Sequence, residues 1–234
     1  MLKKMVLSKN LRNNRVFTMT DRTVSIDIKK DLFGANEEAA AINADLFKKH
    51  GIKAIDIMGS VGTGKTQLIE ALCEQLSDRY RILMLAGDLA TRIDADRVAS
   101  HGVDTIQINT GTACHLDARM INVVLKEIDL SQYDVIFIEN VGNLICPAGY
   151  SLGVDKKIVV VSVTEGPYMV KKHPLTIKRA DMVVINKIDL AEALEFDVES
   201  LVNDVREVDA NLPVVKVSSK TNQGIDDLVK ELGL

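Results

Sequence analysis

Gly59-Ser60-Val61-Gly62-Thr63-Gly64-Lys65-Thr66 is the stretch of this sequence with the plainest chemistry. It fits G-x-x-x-x-G-K-[ST], and glycines at those spacings let successive backbone N–H groups curl round a phosphate chain at the start of a helix. Lys65 then offsets charge on the β and γ phosphates, and the Thr66 hydroxyl is a ligand for Mg²⁺. Asp88, in Ala86-Gly87-Asp88, and Glu139, in Glu139-Asn140-Val141-Gly142, each follow an apolar run. Carboxylates at strand ends face the phosphate loop, where they hold Mg²⁺ or its waters while the Gly142 N–H meets the γ phosphate. Asp94 and Asp96 compete with Asp88 for that role. Lys65, Thr66, Asp88 and Glu139 form the expected catalytic set.

The base is addressed by Asn186-Lys187-Ile188-Asp189, which follows the apolar run 182–185 and resembles the N-K-x-D element of P-loop GTPases. A carboxylate at Asp189 accepts from guanine N1–H and the 2-amino group, whereas adenine lacks both donors and would leave that acceptor unpaired. GTP is therefore expected rather than ATP. Asn186 would fix the loop or meet the base edge, and the Lys187 stem would lie over the ring. A bland surface turn also favours Asn and Asp; the position after a strand and downstream of the phosphate loop weighs against it. Ser218-Ser219-Lys220 resembles the S-A-K element that closes a guanine pocket, with Ser219 departing from the pattern.

Cys114 and His115 are adjacent, and Cys146 follows the Glu139–Gly142 segment by a few residues. Thiolates with an imidazole suit Ni²⁺ or Zn²⁺ better than Mg²⁺, which prefers oxygen. Core packing competes as an account, because cysteine is often buried. Cys73 differs: it shares an apolar helix face with Leu68, Ile69, Leu72 and Leu76, which marks it as core.

These residues need elements to position them, and the hydrophobic periodicity supplies them in alternation. Strands are expected at 52–58, 81–86, 104–108, 134–138, 157–163, 181–185 and 214–217. Helices are expected at 35–50, 64–77, 91–101, 116–128, 198–208 and 225–232, with a loop at 167–174. Alternating strands and helices predict an α/β fold, a P-loop NTPase with a largely parallel sheet covered on both faces. The 234 residues suit a single domain, and no repeat or low-complexity tract divides them. The expected organisation is a basic N-terminal extension over 1–34, with Lys3, Lys4, Lys9, Arg12 and Arg15, read as a flexible tail, followed by a P-loop GTPase domain over 35–234.

Composition excludes several functions. A net charge of -4 argues against a protein that chiefly neutralises nucleic-acid phosphates, so no nucleic-acid partner is expected. No apolar run approaches membrane-spanning length, so no membrane partner is expected. Three scattered cysteines do not make a disulfide scaffold, and a cytoplasmic location follows.

Taken together, the phosphate loop, Glu139-Asn140-Val141-Gly142, Asn186-Lys187-Ile188-Asp189 and the Cys114-His115 plus Cys146 set resemble the hydrogenase nickel-incorporation GTPases, relatives of the urease accessory GTPases. The resemblance covers roughly residues 35–234. It implies a GTP-hydrolysing metallochaperone that helps insert nickel into hydrogenase, with GTP-dependent homodimerisation coupled to a Cys/His metal site. It also implies a small nickel metallochaperone and the hydrogenase large-subunit precursor as partners. No N-terminal cysteine motif or histidine-rich tract is present, so a nickel store built on such segments is not expected. Regulatory GTPases carry a water-orienting Gln where this chain has Asn143, which predicts slow intrinsic hydrolysis. Two other readings stand beside this one: a regulatory or translation-type GTPase with incidental cysteines, and an ATP-dependent kinase. Metal binding separates the first of these, and nucleotide preference the second.

Overall fold

A computed structural model describes residues 18–20, 23–27, 36–88, 97–99 and 101–234. Among the described residues nine strands form one sheet: β1 (Thr18–Thr20), β2 (Thr23–Asp27), β3 (Lys53–Gly59), β4 (Ile82–Asp88), β5 (Asp104–Asn109), β6 (Val135–Glu139), β7 (Lys156–Ser162), β8 (Met182–Asn186) and β9 (Val214–Lys216). Their order is β1-β2-β5-β4-β6-β3-β7-β8-β9. Among these described strands β1 pairs with β2 antiparallel and the other pairings are parallel. Continuous apolar runs, such as Ile158 to Val161, are what a strand buried on both faces requires.

Helices cover both faces: α1 (Asn36–His50), α2 (Lys65–Leu76), α3 (Ala118–Leu125), α4 (Met169–Lys172), α5 (Pro174–Lys178), α6 (Val198–Val208) and α7 (Ile225–Leu232). On one face α2 and α7 bury Leu68, Leu72, Leu228 and Leu232 against Ile57, Phe137 and Val160. On the other, α1 and α3 bury Phe47, Ile121 and Val124 against Leu85 and Ile138. There α4, α5 and α6 cover the β7–β8 half through Val170, Ile177 and Leu201. Alternate strand residues divide between the faces: Ile55 and Ile57 point to the first, Ala54 to the second.

Two differences from the periodicity matter. The segment 1–34 contributes β1 and β2, and β2 pairs in parallel with β5, an association that short strands cannot advertise by themselves. The remainder of that segment lies outside the described residues. The expected loop at 167–174 instead holds α4, capped by a hydrogen bond from the His173 N–H to the Val170 carbonyl, with α5 beginning at Pro174. Of the helix expected at 91–101, the described residues 97–99 are helical and the rest of 91–96 and 100 lies outside the described residues.

Candidate functional site

The parallel sheet delivers the ends of β3, β4, β6 and β8 to one edge, because parallel strands terminate together. The phosphate loop leaves β3 at Gly59 and enters α2 at Lys65. Gly62 and Gly64 adopt φ of 83° and 92°, the left-handed conformation that glycine reaches without strain. A Cβ on Gly64 would lie 2.6 Å from Asn186 Nδ2. Lys65 Nζ donates to the Gly59 and Ser60 carbonyls, both at 3.1 Å, so its ammonium is folded over the loop. Val61 is exposed at the tip and abuts Gly142, where an added Cβ would meet the Val61 side chain.

Thr66 and Glu139 meet directly. The Thr66 hydroxyl donates to Glu139 Oε1 at 2.9 Å, and both residues are buried. A hydroxyl and a carboxylate at a helix start are hard oxygen donors, the set that Mg²⁺ takes. Asp88 closes β4 at the same sheet edge. The Asp88 side chain, Asp94 and Asp96 lie outside the described residues.

The 186–189 segment is joined to the phosphate loop. Asn186 Nδ2 donates to the Thr63 carbonyl at 2.9 Å and to Ser219 Oγ at 3.2 Å, while Asn186 Oδ1 accepts from the N–H groups of Lys187 and Ser219. With its amide engaged this way and the residue fully buried, Asn186 ties this segment to the phosphate loop and to the 218–219 turn. Lys187, at φ 62°, sends Nζ to the Gly62 carbonyl at 2.5 Å and to Thr164 Oγ1 at 3.4 Å. Its stem therefore spans from β8 to the phosphate loop. Asp189 is exposed beside it. Ser218 and Ser219 are buried and Lys220 is exposed; the Ser218 N–H donates to the Gln223 carbonyl, turning the chain back.

The cysteine-histidine set is partly assembled. Cys114 is exposed, and Cys146 sits at the head of a 3-10 turn begun by Pro147. The two thiols interact: a hydrogen bond with Cys146, reinforced by burial, raises the Cys114 pKa above the ordinary thiol value. His115 stacks on Tyr150 with ring centroids 3.9 Å apart, and burial lowers its pKa. Among the described residues no group of three or more His, Cys, Asp and Glu side chains is arranged to hold a metal ion. Cys73 is fully buried on α2, and burial together with Glu70 and Glu74 pushes its thiol up to about 12, as befits an inert core residue.

Asn143 bridges to Gly59 through its backbone, while its side chain bonds elsewhere. Its Nδ2 donates to the Cys114 carbonyl at 3.4 Å and its Oδ1 accepts from the Ile145 N–H at 2.9 Å, tying the two cysteine loops together. Asp56 and Asn140 also stand at this junction, hydrogen-bonded to each other at 3.1 Å, and neither was singled out from the sequence. The signal for Asp56 was present, a carboxylate within the apolar run Ile55-Asp56-Ile57-Met58. Lys171, in the segment expected to be a loop, pairs with Asp204 of α6 at 2.9 Å.

A parallel sheet whose central strand opens into a glycine loop closed by Lys65 and Thr66 defines a P-loop NTPase. The chain belongs to the CobW/HypB/UreG family, whose nucleotide-binding domain matches residues 53–216. It is 46% identical over 205 residues to the probable hydrogenase maturation factor HypB of Methanocaldococcus jannaschii, covering 88% of this chain and 93% of that protein. The match to hydrogenase maturation factor HypB of Azotobacter vinelandii is 38% identical over 200 residues, covering 86% of this chain and 66% of the longer relative. A crystal structure of HypB from Archaeoglobus fulgidus is similar at a TM-score of 0.79 and 39% identity, covering 85% of this chain and 97% of that one. The structure of HypB from Helicobacter pylori in complex with nickel gives a TM-score of 0.78 and 37% identity, over 84% and 93% of the two chains. No helix among the described residues is long and apolar enough to cross a membrane.

Proposed function

We propose that this chain is a GTP-hydrolysing metallochaperone of hydrogenase maturation, acting in the cytoplasm, with nickel as its cargo. The extension at 1–34 and the GTPase domain at 35–234 are part of this proposal. Residues Gly59 to Thr66 wrap the phosphates with backbone N–H groups, Lys65 balances their charge, and Asp189 reads guanine while Asn186, Lys187 and Ser218 to Lys220 hold the pocket. Thr66, Glu139 and Asp88 would hold Mg²⁺, which when bound neutralises charge that develops between the β and γ phosphates. Hydrolysis is slow in the isolated chain, because Asn143 is engaged with the Cys114 carbonyl and does not orient water. Cys114, His115 and Cys146 take Ni²⁺ or Zn²⁺, with a GTP-bound homodimer combining two copies of the set. A small nickel metallochaperone and the hydrogenase large-subunit precursor are its partners.

The observation that supports this coupling is one loop with two contacts. Glu139 at its start touches Thr66 beside the phosphate loop, and Asn143 further along holds the Cys114 carbonyl. Isothermal titration with Ni²⁺ and Zn²⁺, in GDP and in a non-hydrolysable GTP analogue, tests it. The expected result is a metal affinity that differs between the nucleotide states; equal affinities would leave two independent sites and end the proposal.

A further inference from the structure

Asp56 is a buried carboxylate with no role in the chemistry proposed for this site. It lies on β3, three residues before Gly59, and is fully buried between Ile55 and Ile57. Its Oδ1 accepts from Asn140 Nδ2 at 3.1 Å, while Oδ2 has no hydrogen-bond partner among the described residues. An interior carboxylate is costly to keep, and this one is satisfied on one oxygen by one side chain.

Asn140 is itself nearly fully buried. Its backbone N–H donates to the Ile57 carbonyl, which seats it against the same strand. Its Oδ1 accepts two N–H groups, from Leu116 at 3.0 Å and from Val141 at 3.1 Å. Leu116 directly follows His115, and Val141 directly precedes Gly142. One oxygen atom therefore joins the Cys114–His115 loop to the segment proposed to meet the γ phosphate. Leu116 is also fully buried and covers Gly87, where an added Cβ would come within 2.7 Å of its side chain, so that loop has little room to slide independently.

We propose that Asn140, anchored to β3 by Asp56, is the positioning residue that transmits movement at Gly142 to the Cys114–His115 loop. The inference rests on the proposed coupling between nucleotide state and metal affinity. A buried amide that bonds Asp56, Leu116 and Val141 cannot release one partner cheaply, so displacement of Val141 is passed to Leu116 rather than absorbed. Asn140 is not among the residues proposed to hold nucleotide or metal; it acts through Leu116 and Val141.

The test measures the ratio of Ni²⁺ dissociation constants in GDP and in a non-hydrolysable GTP analogue for the full chain. Wild type is expected to show a ratio of about tenfold, within the usual range of coupling between two sites. Asn140→Ala is expected to bring the ratio below about twofold. A residue with only a structural role would lower stability and shift both affinities together, leaving the ratio in place. Asp56→Asn, whose amide oxygen still accepts from Asn140, is expected to keep the wild-type ratio, and losing it would overturn the anchoring. A wild-type ratio near one removes the nucleotide–metal coupling and this inference with it. A wild-type ratio that survives in Asn140→Ala overturns this inference alone. Should Asn140→Ala fail to fold, amide hydrogen exchange on the wild-type chain decides. Leu116 and Val141, sharing one acceptor, must change protection together between nucleotide states, and a change in one alone or in neither overturns the proposal.

Discussion

Asp189 and Asn186 sit three residues apart and do different work. Asn186 spends its amide on Thr63, Ser219 and Lys187, whereas Asp189 is exposed at the rim, where an acceptor can meet a base. Asp189→Asn replaces a double acceptor with a group that offers donors. It is expected to lower GTP affinity by roughly a hundredfold and to favour xanthosine triphosphate, whose 2-oxo group takes the place of a donor. Competition binding with both nucleotides checks this, and an unchanged preference for GTP would remove Asp189 from base recognition. Asp56 supports a second expectation. Burial raises its pKa from 3.8 to about 6, with the Asn140 hydrogen bond and then Lys157 opposing the shift. A carboxyl with a raised native pKa holds its proton more tightly folded than unfolded, so its contribution to stability is greatest below pH 4 and is lost as pH rises through 6. The stability of wild type relative to Asp56→Asn should therefore fall by roughly 2 kcal/mol between pH 4 and pH 7, as read by urea denaturation. A difference that is flat across that window would show that Asp56 does not titrate with a raised pKa.

At the scale of elements, α3 begins directly after the Cys114–His115 loop. Asp117 caps it, its carboxylate accepting from the N–H groups of Arg119 and Met120. Arg119 returns an Nη2 hydrogen bond to the same side chain at 2.5 Å. The cap thus fixes the point at which the chain from Cys114 turns into the helix. Asp117→Ala should cost about 1 kcal/mol, a lower urea midpoint with an unchanged slope. An unaltered midpoint would show that Arg119 and the packing of Ile121 and Val124 hold the helix start without the cap. The α1 helix is secured to α3 by polar groups: Asn43, fully buried, donates to the Ala118 and Leu152 carbonyls and accepts from Asn122 Nδ2. A close approach adds to this, since a Cβ on Gly153 would overlap the Ala40 carbonyl. These contacts link residues far apart in sequence, so no local pattern announces them.

At the scale of the whole molecule, three soft donors per chain are one fewer than a closed four-coordinate metal site. In the two-fold dimer proposed above, two sets would meet at one seam, and linkage would then require that whatever favours the dimer also alters metal affinity. GTP with Mg²⁺ is expected to raise the dimer fraction, and Cys146→Ala to weaken Ni²⁺ binding by at least about tenfold while leaving monomer GTP affinity nearly intact. Sedimentation in both nucleotide states, paired with metal titration, measures each part; a fixed monomer fraction would separate metal binding from assembly. Much of this architecture is local in origin and was legible along the chain. Apolar runs alternating with helical spacing imply a parallel sheet clad on both faces, and Gly59 to Thr66 between a strand and a helix carries its phosphate chemistry in its own residue types. Cys73 likewise declared itself core by its helical face. What only the tertiary structure decided are the relations across long separations: Asn186 bonded to Thr63, Asn143 turned to Cys114, and Asp56 joined through Asn140 to Leu116. The physical reason is that an amide can bond many partners, and which it takes depends on the sheet order that brings β3, β6 and β8 to one edge. Periodicity in a sequence sets which face of an element is buried, but it carries no term for the neighbour that element will meet.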